Sequence, residues 1–339
     1  MPTVVNFAPV RVAVAGLGRA GMFHVERLGL RDDCQVVAAY DDCPLAVERS
    51  GRPPVPFAES WKELLANDEV ELVIIATPPA LHAEMAISAL ASGKHVAVET
   101  PLGLNVAEVD AIRAAGRRSG KAVSVLHTRR WDDDFQTACE VLSAGSLGPP
   151  RAIKFINWHY NPSNAVDWRT DAATGGGVLW EFGVHYFDQL LQMAGSHPES
   201  VFARLHSSRD ARVDDAFLAV VSFAGGLVAQ IEVDRLATTP LQTGWIIAGD
   251  SGSYANFTQY TTNPDGEVVD LPFMPVAAEV DEFCTRLVRH LRRGSANPVT
   301  AEEARGSMAL IEAVRKSART GEVVRVDSVG AGLLTPPIG

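Results

Sequence analysis

Three side chains that can transfer or stabilise a proton recur at helical spacing after the three glycines at 175–177. Glu181 and His185 are four residues apart, and His185 and Asp188 are three apart, so on an α-helix all three share one face. A carboxylate one turn from a histidine can orient the imidazole and stabilise its cation, which suits a general acid or base near neutral pH. The glycines permit close approach of a ligand. We therefore predict His185 as a catalytic residue oriented by Glu181; the alternative is a histidine that only packs.

A second stretch has the spacing of a phosphate-binding turn. An apolar run ends in Gly-x-Gly-x-x-Gly, which comprises Gly16, Leu17, Gly18, Arg19, Ala20 and Gly21. In a strand–turn–helix, these glycines allow a tight turn, close approach of a pyrophosphate and close packing of helix on strand. The next apolar run ends at Asp41, where a carboxylate can bind the adenosine ribose. It would repel a 2′-phosphate, so we predict NAD, with NADP as the alternative because Arg19 and Arg49 are near in sequence.

Composition and charge exclude several classes of protein. The net charge of −11 and the pI of about 5.3 argue against a nucleic-acid or anionic membrane surface. No apolar run reaches membrane-spanning length, and the N-terminal sequence lacks a secretion signal. The four cysteines show no Cys-x-x-Cys spacing, and a Glu/His/Asp stripe without a second histidine is a weak zinc site. We expect a cytoplasmic protein that binds a small molecule and no metal.

The chain of 339 residues is too long for one ordinary core, so we expect two domains. Residues 1–130 alternate apolar runs with helical patterns, which predicts a doubly wound parallel sheet of six strands, one of them weak, near 55–57. Residues 131–339 are dominated by β-rich runs, which predict an α+β domain with a large, open, mostly antiparallel sheet. Helices are expected at 276–292 and 301–320, and the last one is a candidate to pack back on the first domain.

Several motifs in order resemble the Gfo/Idh/MocA family of oxidoreductases, over about residues 11–326. They are Gly16–Gly21, Asp41, Thr77-Pro78-Pro79-Ala80-Leu81-His82, the segment from Gly93 to Pro101, Arg129-Arg130-Trp131-Asp132, Trp168-Arg169 and the glycine–Glu181–His185–Asp188 block. The resemblance implies an N-terminal Rossmann domain that binds NAD or NADP. It also implies a C-terminal domain whose open sheet forms a homodimer or homotetramer. The substrates that it implies are sugars, cyclitols and related polyols.

The resemblance also implies roles for single residues. The cofactor set is completed by Thr77, Pro78 and His82 of one loop, and by Glu99, which corresponds to the residue that touches the nicotinamide ribose. His185 matches the catalytic histidine, and Glu181 stands where the family usually has Asp. The residues implied to line the substrate cleft, or to support the site, are His127, Arg130, Trp168, Arg169 and Asp188.

One residue departs from the family pattern. The Glu-Lys-Pro motif, whose lysine helps to move the hydroxyl proton, reads Glu99-Thr100-Pro101 here. Thr100 can donate a hydrogen bond but carries no charge. Hydrogen bonds to charged groups contribute roughly 1.5–3 kcal/mol against about 1 for neutral ones, so the loss could slow the reaction by roughly one to two orders of magnitude. Lys154 and His127 are candidate replacements, although His127 could equally be a packing residue.

These observations predict an oxidoreductase that transfers hydride between NAD(P) and a secondary alcohol of a sugar, cyclitol or related polyol, with His185 taking the alcohol proton. Thr100 leaves two alternatives open. One is an NAD-binding sensor or regulatory protein with little redox turnover. The other is NAD-assisted elimination or glycoside cleavage, in which the cofactor is oxidised and reduced within one cycle.

Overall fold

The computed structural model describes residues 7–49, 55–162, 168–208, 212–271 and 273–326. The chain forms two compact units. The first contains the residues up to 126 together with 281–301, and the second contains 127–280 and the residues from 302 onward. Among the described residues, no helix is long and apolar enough to cross a membrane.

The first unit is a parallel sheet with helices between its strands. Its elements are β1 (Val10–Ala15), α1 (Arg19–Gly29), β2 (Cys34–Tyr40), α2 (Pro44–Arg49), α3 (Trp61–Ala66), β3 (Leu72–Ile75), α4 (His82–Ala91), β4 (His95–Val98), α5 (Val106–Ser119) and β5 (Val123–Val125). The strand order is β2-β1-β3-β4-β5, and every neighbouring pair is parallel. The predicted doubly wound parallel sheet is therefore confirmed.

The predicted weak strand near 55–57 is only a single parallel bridge between Phe57 and Ala39, outside β2. Counted as a reduced strand, it completes the order 3-2-1-4-5-6 of a Rossmann sheet. In β1, Val10 and residues 12–15 are fully buried, as expected for a strand covered on both faces. Because all strands run in one direction, their carboxyl ends share one edge of the sheet, where ligands of such folds bind.

The second unit contains a nine-stranded sheet. Its elements are α6 (Asp133–Ser143), β6 (Pro150–Tyr160), α7 (Val184–Ala194), β7 (Pro198–His206), β8 (Ala216–Phe223), β9 (Val228–Asp234), β10 (Leu236–Gly249), β11 (Ser253–Ala255), β12 (Thr258–Thr262) and β13 (Val268–Leu271). Two helices and a strand follow, namely α8 (Glu282–Arg293), α9 (Ala301–Thr320) and β14 (Val324–Arg325). The strand order is β13-β12-β11-β10-β6-β9-β8-β7-β14, and only β6 and β9 pair in parallel among these described strands. The mostly antiparallel sheet is confirmed.

Ring contacts hold α7 on one face of this sheet. Phe187 lies 5.9 Å from Phe217 of β8, and Tyr186 lies 3.9 Å from Phe155 of β6, between ring centroids. Along β8, alternate residues are buried and the others are half-exposed, so the two faces of the strand differ. Lys154 is exposed and, as the strand neighbour of Phe155, points to the face opposite α7, which removes it as a replacement for the missing lysine.

The helix begins directly after the three glycines, as predicted, but its first turns are not regular α-helix. Residues Leu179–Gly183 form a π-helical turn, and α7 follows from Val184. A π-turn has i→i+5 hydrogen bonds and often occurs at functional sites. The wider turn changes the angular offset between Glu181 and His185, so the one-face argument for an α-helix does not hold across it.

Of the two last helices, the second has its predicted bounds and the first begins later than predicted. The helix expected at 276–292 begins at Glu282, and it is this helix, α8, that belongs to the first unit. There the guanidinium of Arg292 donates to both carboxylate oxygens of Glu71, at 3.0 and 2.8 Å. Helix α9 belongs to the second unit from residue 302 onward, where the Ser317 hydroxyl accepts a hydrogen bond from the Ala203 amide; its packing on the first domain stays a prediction.

Candidate active site

The glycine turn in the first unit has the geometry that a dinucleotide requires. Gly16 has φ of +91°, and a Cβ there would lie 2.5 Å from the Ala76 carbonyl oxygen. A Cβ on Gly21 would lie 1.7 Å from the Gly16 carbonyl oxygen, whereas Gly18 has no atom within 4 Å of such a position. Gly18 is also the N-cap of α1, and no side chain there accepts a hydrogen bond from the first amides of the helix. The open space and the uncapped helix N-terminus together fit a pyrophosphate.

Asp41 is tied directly to this turn. Its Oδ2 accepts a hydrogen bond from the Leu17 amide at 2.6 Å, and its Oδ1 accepts one from the Cys43 amide at 2.8 Å. Leu17 is buried, and thus contributes its backbone, whereas Arg19 and Ala20 are exposed on the first turn of α1. A carboxylate has about four acceptor sites, so Asp41 retains capacity for ribose hydroxyls. The side chain of Arg49 lies outside the described residues.

His82, predicted to bind the cofactor, is fully buried. Its Nδ1 lies 2.7 Å from the Pro101 carbonyl oxygen, and its Nε2 lies 2.8 Å from the Thr77 carbonyl oxygen. Burial lowers the pKa of this imidazole. The ring therefore joins two loops, and the prediction is corrected: His82 positions the Thr77 loop, whose Thr77 and Pro78 are partly exposed.

Glu99 has a partner that the sequence motifs did not indicate. Its Oε1 lies 2.7 Å from Nε2 of the buried His24, and its Oε2 accepts a weaker hydrogen bond from the Thr100 amide at 3.4 Å. His24 lies on the first turns of α1, three residues after Gly21. A histidine at this spacing from the glycine motif was the one feature of the sequence that could have indicated a partner for Glu99. Thr100 is half-buried and precedes Pro101 in a cis peptide.

His185 lies on the first turn of α7 in the second unit. Its ring makes an edge contact with the His127 ring, with 5.7 Å between centroids. Its Nδ1 is buried, although part of the residue remains accessible. Burial first, and then the positive charge of Arg129 and the neighbouring His127, hold the pKa of His185 well below its usual value. The imidazole is thus neutral near pH 7 and can accept a proton.

Glu181 has two arginine partners. Its Oε1 accepts a hydrogen bond from Arg169 Nε, and its Oε2 accepts one from Arg235, both at 3.2 Å. The structure thus gives Glu181 two cationic partners that the sequence did not indicate, and its orientation of His185 stays a prediction. The Arg169 guanidinium also lies 4.4 Å above the Trp168 ring. Arg235 is buried and distant in sequence, so no local motif could indicate it.

Arg130 and Asp188, predicted to line the substrate cleft or support the site, are buried against each other. The Arg130 guanidinium donates to both carboxylate oxygens of Asp188 at 2.7 Å, and to Glu303 of α9 at 2.7 Å. Their exposed fractions are only 7% and 2%. The two residues therefore support the site, and a direct contact with substrate is corrected to an indirect role.

A cleft in the second unit collects residues that the sequence predictions missed. It has a volume of about 380 Å³ and is lined by Arg129, Asp133, Asp134, Phe155, Ile156, Asn157, Tyr186, Gly244, Trp245, Tyr254, Asn256 and Phe257. The Asn157 amide donates to the Tyr186 hydroxyl at 2.8 Å. Of the two adjacent arginines, the partly exposed Arg129 lines this cleft, while Arg130 is buried. Burial raises the pKa of Asp134.

Two family profiles match the chain. The one described as an oxidoreductase family with an NAD-binding Rossmann fold matches residues 10–127, and the GFO/IDH/MocA C-terminal domain matches residues 135–255.

Individual relatives support the same family assignment. The chain is 25% identical to scyllo-inositol 2-dehydrogenase (NADP(+)) IolW of Bacillus subtilis, over 94% of this chain and 96% of that protein. It is 27% identical to 1,5-anhydro-D-fructose reductase of Ensifer adhaerens, over 79% and 84%. The crystal structure of an NAD-binding protein from Listeria innocua superposes with a TM-score of 0.87 at 29% identity, over 93% and 96% of the two chains. The protein thus belongs to the Gfo/Idh/MocA family and is an NAD(P)-dependent oxidoreductase.

Proposed function

We propose that this protein oxidises a secondary alcohol of a sugar, cyclitol or related polyol, and that His185 takes the hydroxyl proton. The observation that carries the proposal is the environment of His185, whose imidazole is kept neutral by burial and by the neighbouring Arg129 cation, and whose ring contacts His127. A neutral imidazole in this position is a general base at physiological pH. The two relatives named above act on an inositol and on an anhydro sugar, which supports the substrate class.

The cofactor and the protein would supply different groups for the reaction. The nicotinamide ring, when bound, supplies a hydride acceptor. His185 accepts the hydroxyl proton while the carbinol hydrogen leaves as hydride, so the alcohol becomes a carbonyl and His185 becomes an imidazolium. The Gly16–Gly21 turn and Asp41 would bind the pyrophosphate and the ribose, and Glu99 would bind the nicotinamide ribose. Thr100 would offer a neutral hydrogen bond in place of the lysine of the family motif.

The cleft of the second unit is suited to a polyol. Its volume of about 380 Å³ lies within the roughly 300–1,000 Å³ that small-molecule sites occupy. Asn157, Asp134 and Arg129 provide acceptors and donors for hydroxyl groups, and Tyr254 and Phe257 provide apolar ring surface for C–H faces. Arg129 also acts on His185, which connects recognition in this cleft to the proposed base.

We further propose that the protein prefers NAD over NADP. The carboxylate of Asp41, held on the turn by the Leu17 amide, would repel a 2′-phosphate. The Bacillus subtilis relative uses NADP, and Arg19 is exposed beside the turn, so the preference requires a direct measurement. Comparing the dissociation constants of NADH and NADPH provides it, and tighter binding of NADPH would contradict this part of the proposal.

The test of the proposed function is a substrate panel. The purified protein is incubated with NAD⁺ or NADP⁺ and with inositols, aldoses and anhydro sugars, while the absorbance of reduced nicotinamide is followed. The reverse reaction uses the corresponding ketones with NADH. We expect turnover with at least one polyol. Tight NADH binding without any turnover would favour the sensor alternative, and substrate consumption without net NADH would favour elimination; either result overturns the proposal.

We also propose that the protein forms a homodimer or homotetramer through the sheet face opposite α7. Apolar side chains of that face, such as Leu218 and Val220, are only half-buried. Light scattering coupled to size exclusion tests this point. A monomer at micromolar concentration would contradict it, and we expect Leu218→Glu to dissociate the oligomer.

A further inference from the structure

A chain of charged side chains within the second unit ends at the ring next to His185. Glu303 accepts a hydrogen bond from Arg130, and Arg130 is paired through two hydrogen bonds with Asp188, all at 2.7 Å. Oδ2 of Asp188 lies 3.7 Å from Nδ1 of His127. The His127 ring in turn makes the edge contact with His185. The chain therefore connects α9, α7 and the turn at Thr128–Trp131 to the proposed catalytic base.

These groups are shielded from water. His127 is 1% exposed, and Arg130 and Asp188 are nearly as buried. Charges interact strongly there because the surroundings polarise less than water does. Asp188 places a buried carboxylate oxygen 3.7 Å from His127 Nδ1, whereas Glu303, at the far end of the network, is only partly buried. A carboxylate this close favours the protonated form of the imidazole.

The two histidines cannot both hold a proton at low cost. Their rings are in contact, and like charges at this distance disfavour each other. Asp188 lies beside His127, whereas the cation Arg129 acts on His185. The charged groups that face the pair from the surrounding elements therefore direct the proton to His127. These groups are Asp188 from α7, Glu303 from α9, and Arg129 and Arg130 from the turn after β5.

We propose that His127 is a positioning residue for the reaction: held as a cation by the Asp188 carboxylate, which Arg130 and Glu303 fix in place, it keeps His185 unprotonated and ready to accept the alcohol proton. The proposal rests on the proposed function of His185. It gives His127 a role that packing alone would not. A protonated His127 also supplies a buried positive charge to a protein in which Thr100 replaces the lysine of the family's Glu-Lys-Pro motif. The arrangement favours oxidation of the alcohol over reduction of the ketone near neutral pH, because reduction needs His185 in its protonated form.

The first test is the pH profile of kcat/KM for oxidation in the wild type and in His127→Gln. Without the His127 charge, the pKa of His185 rises, so the acidic limb moves to higher pH by about one unit. The rate then falls roughly ten-fold on that limb and recovers at high pH. A purely structural role would lower the rate at every pH without moving the limb, and that result would overturn the proposal.

The second test needs no substrate. The imidazole C–H resonances of wild-type protein are titrated by NMR, with assignments from His127→Gln and His185→Gln, and with His206, an exposed histidine of β7, as the reference. We expect His127 to be protonated and His185 neutral at pH 7. A neutral His127 overturns this inference alone. Absence of any turnover in the substrate panel overturns the proposed function instead, so the two failures are distinguishable.

Discussion

The candidate functional residues of the two units are held in place by different kinds of contact. In the first, the candidate cofactor residues lie at the ends of consecutive strands, and their partners are mainly backbone groups, as with Asp41 and the Leu17 amide. In the second, the candidate catalytic residues depend on side chains brought together from distant segments, as with Arg130 and Glu303, 173 residues apart. A backbone-determined site can be inferred from local spacing. A side-chain network requires knowledge of the packing.

The largest expected effect is on the side-chain network. Replacing Arg130 with Met leaves the buried carboxylate of Asp188, and the partly buried one of Glu303, without their shared cation. We expect this loss to cost roughly 3–5 kcal/mol of folding free energy. Chemical denaturation measures it. The matched control is Arg151→Met, since the Arg151–Asp250 pair is mostly exposed and should contribute less than about 1 kcal/mol. Equal losses in both variants would remove the distinction between a buried network and a surface pair.

The next effect concerns the backbone-determined site. Gly21→Ala places a Cβ against the Gly16 carbonyl oxygen, so the turn must shift. We expect a loss of about 1–3 kcal/mol in stability and loss of measurable NADH binding. Gly29→Ala is the control on the same helix, because a Cβ there meets nothing within 4 Å. If Gly21→Ala bound NADH like the control, the turn would not be the phosphate site.

A smaller effect is expected from Asp41→Ala. The variant loses the ribose acceptor and the hydrogen bond to the Leu17 amide. Hydrogen bonds to charged groups contribute roughly 1.5–3 kcal/mol, so the Kd of NADH should rise roughly 10- to 100-fold. Asp42→Ala, at the exposed neighbour, should leave the Kd unchanged. Calorimetric titration measures both. An unchanged Kd in Asp41→Ala would show that Asp41 only shapes the turn.

The smallest effect is on the ion pair that ties α8 to the first unit. Hydrogen bonds from Arg292 lower the pKa of Glu71 to about 2 from its usual 4.5. Because the folded-state pKa is the lower one, the stabilisation is fully present above pH 4.5 and is lost as the pH falls toward 2. Glu71→Gln should therefore cost about 1–2 kcal/mol at neutral pH, a value reduced for solvent screening.

The control for this ion pair is Glu69→Gln, at an exposed position nearby. The difference between wild type and Glu71→Gln should vanish in melts recorded near pH 2. A difference independent of pH would show that the loss comes from packing of the side chain and not from its charge.

The same contrast explains what the sequence could predict. The parallel sheet, the glycine turn and the position of Asp41 follow from local periodicity and spacing, and the structure has them. The arginine contacts of Glu181 could not be predicted, because α-helical spacing was assumed through a segment that forms a π-turn. A one-residue change in helical repeat is invisible to an apolar pattern, since buried residues such as Leu179 and Trp180 satisfy either geometry.

Other errors arose from burial. His82 and Arg130 have the residue types of ligand-binding groups, but each is used internally. The motif Arg129-Arg130 could not indicate which arginine faces the cleft, because that depends on the conformation of the turn at Thr128–Trp131. Partners such as Arg235 and Glu303 lie on distant elements and leave no local signal.

The central claim is that His185 takes the hydroxyl proton of the substrate in the proposed NAD(P)-dependent oxidation. The most direct test compares wild type, His185→Gln and the control His206→Gln on the best substrate of the panel, with NADH affinity measured in parallel. We expect His185→Gln to lower kcat by roughly 10²–10⁴-fold with an unchanged Kd for NADH, and the control to match wild type. A His185→Gln enzyme that turns over at the wild-type rate would contradict the account.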